Sequence, residues 1–195
     1  NATDDTAIAV DFQPDWTWIK KRSGAQEHVL FDSNRGATKR LFSNLTNAES
    51  AEATSLKAFT SSGFTLGTHS SVNDNTETFV GWNWKANGGT TSSNSDGSIT
   101  STVQANTTAG FSIVTYTGTG SNATVGHGLS VAPQFIVPKN RDATGNWYVY
   151  TGDGTKSLLL NGTQAQFSTS DKWNNTAAAS SVFSIGTEAN LNGDG

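Results

Sequence analysis

The stretch from Leu129 to Tyr150, LSVAPQFIVPKNRDATGNWYVY, restates the stretch from Val10 to Phe31, VDFQPDWTWIKKRSGAQEHVLF, and that echo constrains the fold more than any other feature of the sequence. At one offset of 119 positions, Pro133 answers Pro14, Lys139 answers Lys20, Arg141 answers Arg22, and Trp147 stands where His28 does. The same offset sets Phe183-Ser184-Ile185-Gly186 against Phe64-Thr65-Leu66-Gly67, and Asn192 against Asn73. A match that holds register over so much chain marks two copies of one supersecondary unit.

The local pattern of each copy reads as strands and turns. In Asp15-Trp16-Thr17-Trp18-Ile19-Lys20 the two tryptophans are two apart, which on a strand puts both rings on one face. A turn at Ser23 to Gln26 and a return through His28 to Asp32 make a hairpin. Lys39 to Phe42, Phe64 to Gly67 and Phe79 to Ala86 read as further strands, the last with Val80, Trp82 and Trp84 alternating onto one face. Ala48 to Ala58 has a composition that permits a short helix, although its counterpart from Ser168 to Ala179 does not. Ile99 to Val103 and Phe111 to Thr117 read as strands, and Gly118 to Gly128 as a glycine-punctuated loop.

The expectation is an all-β chain of two tandem antiparallel β-sandwich units, jelly-roll or lectin-like, both truncated. Residues 1–86 form the first, lacking its first strand; residues 87–98, NGGTTSSNSDGS, form a flexible polar linker; residues 99–195 form the second, lacking its last strand. The missing strands leave an edge that a longer chain or a neighbouring chain is expected to cover. The tryptophans are expected inside, where they would supply much of the hydrophobic stabilisation.

Composition narrows the function classes. Of 195 residues only 14% are charged and the net charge is −4, so there is no basic surface of the kind nucleic acid requires. No apolar run is long enough for a membrane span. With no Cys there are no disulfides and no thiolate metal sites, which fits folding in a reducing cytoplasm.

At PDWTWIKKR, HVLFDSNRG, GFTLG, FVGWNWKANGG, GSITSTVQANTTAGFSIVTYTGTG and VGHGLSVAPQFIVPKNR, the chain resembles a repeat found in tail-fibre and other virion proteins of marine tailed bacteriophages. The resemblance covers nearly the whole chain. It implies a concanavalin-type lectin sandwich used as a building block on the virion surface. Other virion proteins, further copies of the chain (a trimer among the options) and a host-surface glycan are the implied partners. It carries no catalytic residues with it. The second copy departs from the pattern with Pro138 where Ile19 stands and with no terminal aromatic strand.

Read residue by residue, the chain offers no catalytic set. The five glutamates, Glu27, Glu49, Glu52, Glu77 and Glu188, do not form the paired carboxylates of a glycosidase, and Glu49 with Glu52 reads as a solvated pair. His28, His69 and His127 lack ligand spacing, so no metal site is expected. Asp74 with Asn73 and Asn75, and Asn192 with Asp194, offer oxygens to Ca²⁺ but read first as turns. For a sugar, Trp173 among Asp171, Asn174 and Asn175 is the candidate platform, weighed against a structural tryptophan tucked under a loop. Six Asn-x-Ser/Thr triplets, beginning at Asn1, Asn44, Asn106, Asn122, Asn161 and Asn174, are expected by chance in a chain so rich in Asn and Thr.

Overall fold

Residues 2–194 are described by the computed structural model. The chain is all-β and divides into two compact units, one of residues 1–45 and 49–90, the other of residues 46–48 and 91–195. The sequon at Asn1 lies outside the described residues.

In the first unit the strands are β1 (Thr6–Ala9), β2 (Trp16–Lys21), β3 (Val29–Asp32), β4 (Lys39–Phe42), β5 (Ser50–Ala51), β6 (Leu56–Thr60), β7 (Gly63–Leu66) and β8 (Phe79–Trp84). One sheet runs β1-β7-β6 and the other β5-β4-β3-β2-β8, with antiparallel pairings throughout. The two-residue period of β2 decides its orientation. Thr17, Ile19 and Lys21 are buried, while Trp16, Trp18 and Lys20 are half-buried on the opposite face. Ile19, Val29 and Phe31 of the larger sheet close on Leu56, Phe64 and Leu66 of the smaller, with Val72 at the end of the core. Lys21 keeps its stem inside and brings its Nζ out to Asp74 at 2.8 Å.

The second unit contains β9 (Ser92–Asn94), β10 (Ser101–Asn106), β11 (Phe111–Thr115), β12 (Ala123–Gly126), β13 (Tyr148–Val149), β14 (Lys156–Leu159), β15 (Phe167–Ser168), β16 (Val182–Ile185) and the single turn α1 (Ala189–Asn192). Its sheets run β11-β10-β9, β12-β16 and β13-β14-β15. The core gathers Ile99, Val125, Tyr148, Tyr150, Trp173, Phe183, Ile185 and Leu191. A buried ring of about 200 Å² contributes roughly 5 kcal/mol as an upper bound, so the four aromatic rings dominate this core.

The two copies share their hydrogen bonds. The His28 amide donates to Asn44 Oδ1 and its carbonyl accepts from the Ser43 amide; the Trp147 amide likewise donates to Asn161 Oδ1 and its carbonyl accepts from the Leu160 amide. Pairing registers repeat as well, Val29 with Phe42 becoming Tyr148 with Leu159, and Lys39 with Ala51 becoming Lys156 with Ser168. The matched lysines have a structural reason. Lys20 Nζ donates to the carbonyls of Lys21 and Gly24, and Lys139 Nζ to those of Asn140 and Ala143, so each ammonium ties down the chain just after it.

Four expectations change. Residues 48–58 hold β5 and the start of β6 rather than a helix, because Leu56 is needed in the core and the strand register places it there. The expected loop from Gly118 to Gly128 contains β12, which pairs with β16 as β1 pairs with β7, so the repeat begins a strand earlier than the sequence echo. Residues 87–98 are hydrogen-bonded rather than a free tether: β9 pairs with β10, and the amides of Gly88 and Gly89 donate to the buried carboxylate of Asp15. That carboxylate also accepts from Ala86 N at 2.7 Å and Ser33 Oγ at 2.8 Å, which gives its charge four donors out of water. The tryptophans of the first unit, finally, are not in its core. The inner positions of β2 and β3 are filled by Ile19, Val29 and Phe31, and the indoles alternate to the other side.

Candidate functional site

Four indoles line the face of the larger sheet of the first unit that points away from its core. Antiparallel register sets Trp16 opposite Trp84 and Trp18 opposite Trp82. Cross-strand partners of this kind are in reach of one another, and the rings meet edge to face or tilted. Their centroids are 4.5 Å apart for Trp16 and Trp84, 5.7 Å for Trp18 and Trp82, and 5.9 Å for Trp16 and Trp18. Trp82 is 44% exposed and Trp84 37%, the inner pair less so. Each ring is held by its neighbour, so the face is preformed. Folded proteins keep such contiguous apolar surface small unless it serves a contact.

The polar groups around this face are held as firmly as the rings. Trp18 Nε1 donates to His28 Nδ1 at 3.1 Å, which requires a neutral imidazole with its proton on Nε2. Burial, seconded by the Lys20 ammonium, pushes the His28 pKa below its ordinary value. Asp32, opposite Trp16, is bound by Arg35, whose guanidinium also reaches Glu49 at 2.8 Å. Both carboxylates therefore sit on one cation, in a structural ion-pair network.

Of its two readings, sugar platform and structural ring, Trp173 takes the structural one. It is 1% exposed, packs against Tyr150 at 5.4 Å, and lies at the centre of the core of the second unit, so its face is closed to a sugar. Its polar flanks conceal this. Asp171 and Glu188 both bind Lys172 Nζ, at 2.9 and 2.7 Å, and Asn174 and Asn175 both have φ of 50°, a left-handed turn that drops the ring inward. Hydrogen bonds from Thr169 and Lys172 hold the Asp171 carboxyl below its usual range. Asn175 lines a shallow polar depression with Thr155, Ser168, Thr169 and Ser170; Trp173 is not part of it.

Nor do the other weighed groups converge. The Asn73 amide donates to the carbonyls of Thr3 and Gly67, Asp74 binds Lys21, and among the described residues no three His, Asp or Glu side chains cluster. His69 contacts Arg40 and Ser71, and His127 lies between Ala179 and Leu129. The signal for the tryptophan face was present in the sequence as two Trp-x-Trp pairs on adjacent strands. Which side of the sheet they occupy was not.

A family described as Domain of unknown function (DUF7483) matches the chain over residues 1–195. No curated protein matches, and no solved structure does.

Proposed function

The chain belongs along its whole length to the DUF7483 family, and from that premise we propose that it is a non-enzymatic structural module of a phage surface appendage that contributes to host-surface attachment. The appendage is a tail fibre, or a head fibre or decoration. The observation that carries attachment is the face built from Trp16, Trp18, Trp82 and Trp84: rigid, amphipathic and partly open to solvent. The virion setting is supported by the resemblance at PDWTWIKKR, FVGWNWKANGG and VGHGLSVAPQFIVPKNR. Its partners in this setting are other virion proteins, copies of itself and a host-surface glycan. Repetition of one unit supports a role in which many weak contacts add up to strong retention.

A second reading, a carbohydrate-binding lectin or adhesin domain, is favoured by the same indoles, because exposed aromatic rings with polar neighbours stack on the C–H faces of sugars. A glycan array probed with the intact chain separates the two. Retention on a defined glycan, lost in Trp82→Ala, makes the module a lectin. Absence of retention leaves a structural module whose attachment is to protein. Hydrolysis of a surface polysaccharide by the chain would overturn both.

A further inference from the structure

We propose, resting on the reading of the tryptophan face as a glycan contact, that this face selects saccharides bearing an acidic group, held beside Trp18 by the imidazole Nε2–H of His28 and the ammonium of Lys20. Both side chains lie on the same side of the sheet as the indoles. With Ile19 paired to Val29 and Trp18 to Leu30, the alternation of β2 and of the chain entering β3 sets Lys20 and His28 on the outer face.

The tautomer of His28 is fixed by its neighbour. An indole N–H only donates, so Nδ1 accepts from Trp18 Nε1 at 3.1 Å and the proton sits on Nε2. Burial and the Lys20 charge hold the His28 pKa below its ordinary value, which keeps this form at neutral pH. The ring is half-exposed, and its Nε2–H meets no acceptor among the described residues without being shut away from solvent. A donor of fixed direction therefore opens beside Trp18, whose ring centroid is 5.7 Å from that of the imidazole.

Lys20 adds a charge that no carboxylate binds. The ammoniums of Lys21, Lys57 and Lys172 each rest on carboxylates, whereas that of Lys20 is held by two backbone carbonyls alone. An ammonium has three N–H donors, so one is left over with the full charge. Glu27, which acts on His28 from the same stretch of chain, is turned to Asn44 Nδ2, and Asp32, opposite Trp16, is bound by Arg35. At the Lys20 end of the indoles the open groups are thus donors. Donors without acceptors match an anion better than a hydroxyl, which both gives and takes a hydrogen bond.

The second copy separates what the repeat requires from what is particular to this face. Lys139 holds two carbonyls as Lys20 does, so that role belongs to the repeat. Trp147 stands at the His28 position with the same backbone bonds, and Val137 stands at the Trp18 position. Backbone pairing therefore calls for neither the imidazole nor the indole it braces. Only the first unit puts a lysine, a neutral imidazole and a row of indoles on one sheet face.

The test probes the full chain on an array of glycans that differ only at the last sugar, which is glucose, glucuronate, sulfated glucose or phosphorylated glucose. The expected result is retention on one or more acidic members about tenfold stronger than on glucose at low salt, with the advantage shrinking as sodium chloride is added. His28→Phe and Lys20→Met lose that advantage. His28→Gln keeps most of it, because an amide offers Trp18 an acceptor and the ligand a donor. Should the variants fail to fold, the unaltered chain decides: its His28 Nε2 signal in nuclear magnetic resonance shifts on addition of sodium glucuronate and not on addition of glucose. Equal retention of glucose and the acidic members, lost in Trp82→Ala, would overturn the acidic preference and leave the glycan contact standing. Retention of no member would overturn both.

Discussion

Asn192 donates through Nδ2 to the carbonyl of Gly186 at 2.7 Å, and Asn73 makes the same bond to Gly67 at 2.8 Å in the other copy. Each amide bridges the loop after one strand back to that strand's end, and Asn192 is wholly buried. Replacing either by Ala strands a carbonyl. Asn73→Ala and Asn192→Ala are each expected to cost about 1–3 kcal/mol in chemical denaturation. A loss at one position with none at the other would contradict their equivalence.

The glycines that accept these bonds make a second matched pair. A Cβ on Gly67 would fall 2.3 Å from the carbonyl oxygen of Thr54, and one on Gly186 would fall 2.2 Å from that of Asp171. The backbones approach closely because Gly67 N donates to Ser55 O and Gly186 N to Lys172 O, both at 2.7 Å. Gly67→Ala and Gly186→Ala should therefore each destabilise by about 1–3 kcal/mol or more, read as a lowered denaturation midpoint with an unchanged slope. A variant as stable as the parent would show that the two backbones can separate.

Trp173 and Trp82 are predicted to differ sharply in what they hold together. Trp173→Ala empties the centre of a core and should cost about 3–5 kcal/mol, whereas Trp82→Ala removes one exposed stacking partner and should cost about 1 kcal/mol. Trp173 Nε1 has no acceptor among the described residues. Trp173→Phe should accordingly be much milder than Trp173→Ala, since it removes an unmet donor along with part of the ring. Calorimetry of the three variants checks the order.

The repeat and the strand pattern were legible in the sequence because they depend on spacing. The side of the sheet was not, because β2 carries Ile19 on one face and Trp16 and Trp18 on the other, and an alternating strand with apolar residues on both faces does not say which is inside. The decision came from partners distant in sequence, Phe64 and Leu66, that pack on Ile19 and its neighbours. Trp173 reads two ways in the sequence, as a sugar platform or as a structural ring under a loop, for a local reason: its flanks are polar because one forms an ion-pair cluster and the other a turn. A register shift of two positions, which aligns Lys39–Phe42 with Lys156–Leu159, would have set Trp173 against Leu56 and exposed its core role. The strand Ala123–Gly126 was hidden by the glycines around it, and its pairing with Val182–Ile185 is a long-range contact that no local pattern encodes.

Acid should loosen the fold from a definite side. Burial lowers the pKa values of His28, His69 and His127 below 6.5, so in each case the folded chain binds a proton less readily than the unfolded one. Their contribution is complete above pH 6.5 and is lost as the pH falls through the lowered values. At His28 the added proton would face the Trp18 N–H that the neutral ring accepts, with Lys20 opposing the new charge and Glu27 favouring it. Melting temperature should fall between about pH 7 and pH 5, and His28→Gln should flatten part of that fall. A melting temperature that rises on acidification would reverse the sign and refute the assignment.

The tryptophan face is the centre of the functional account, and its most direct test is retention of the intact chain and of the Trp82→Ala/Trp84→Ala variant on host-type surface polysaccharide and protein. The account predicts that the variant keeps its two folded units and a melting temperature near that of the parent while retention is lost. A variant that unfolds would show that the rings are structural, and one retained as well as the parent would show that attachment lies elsewhere.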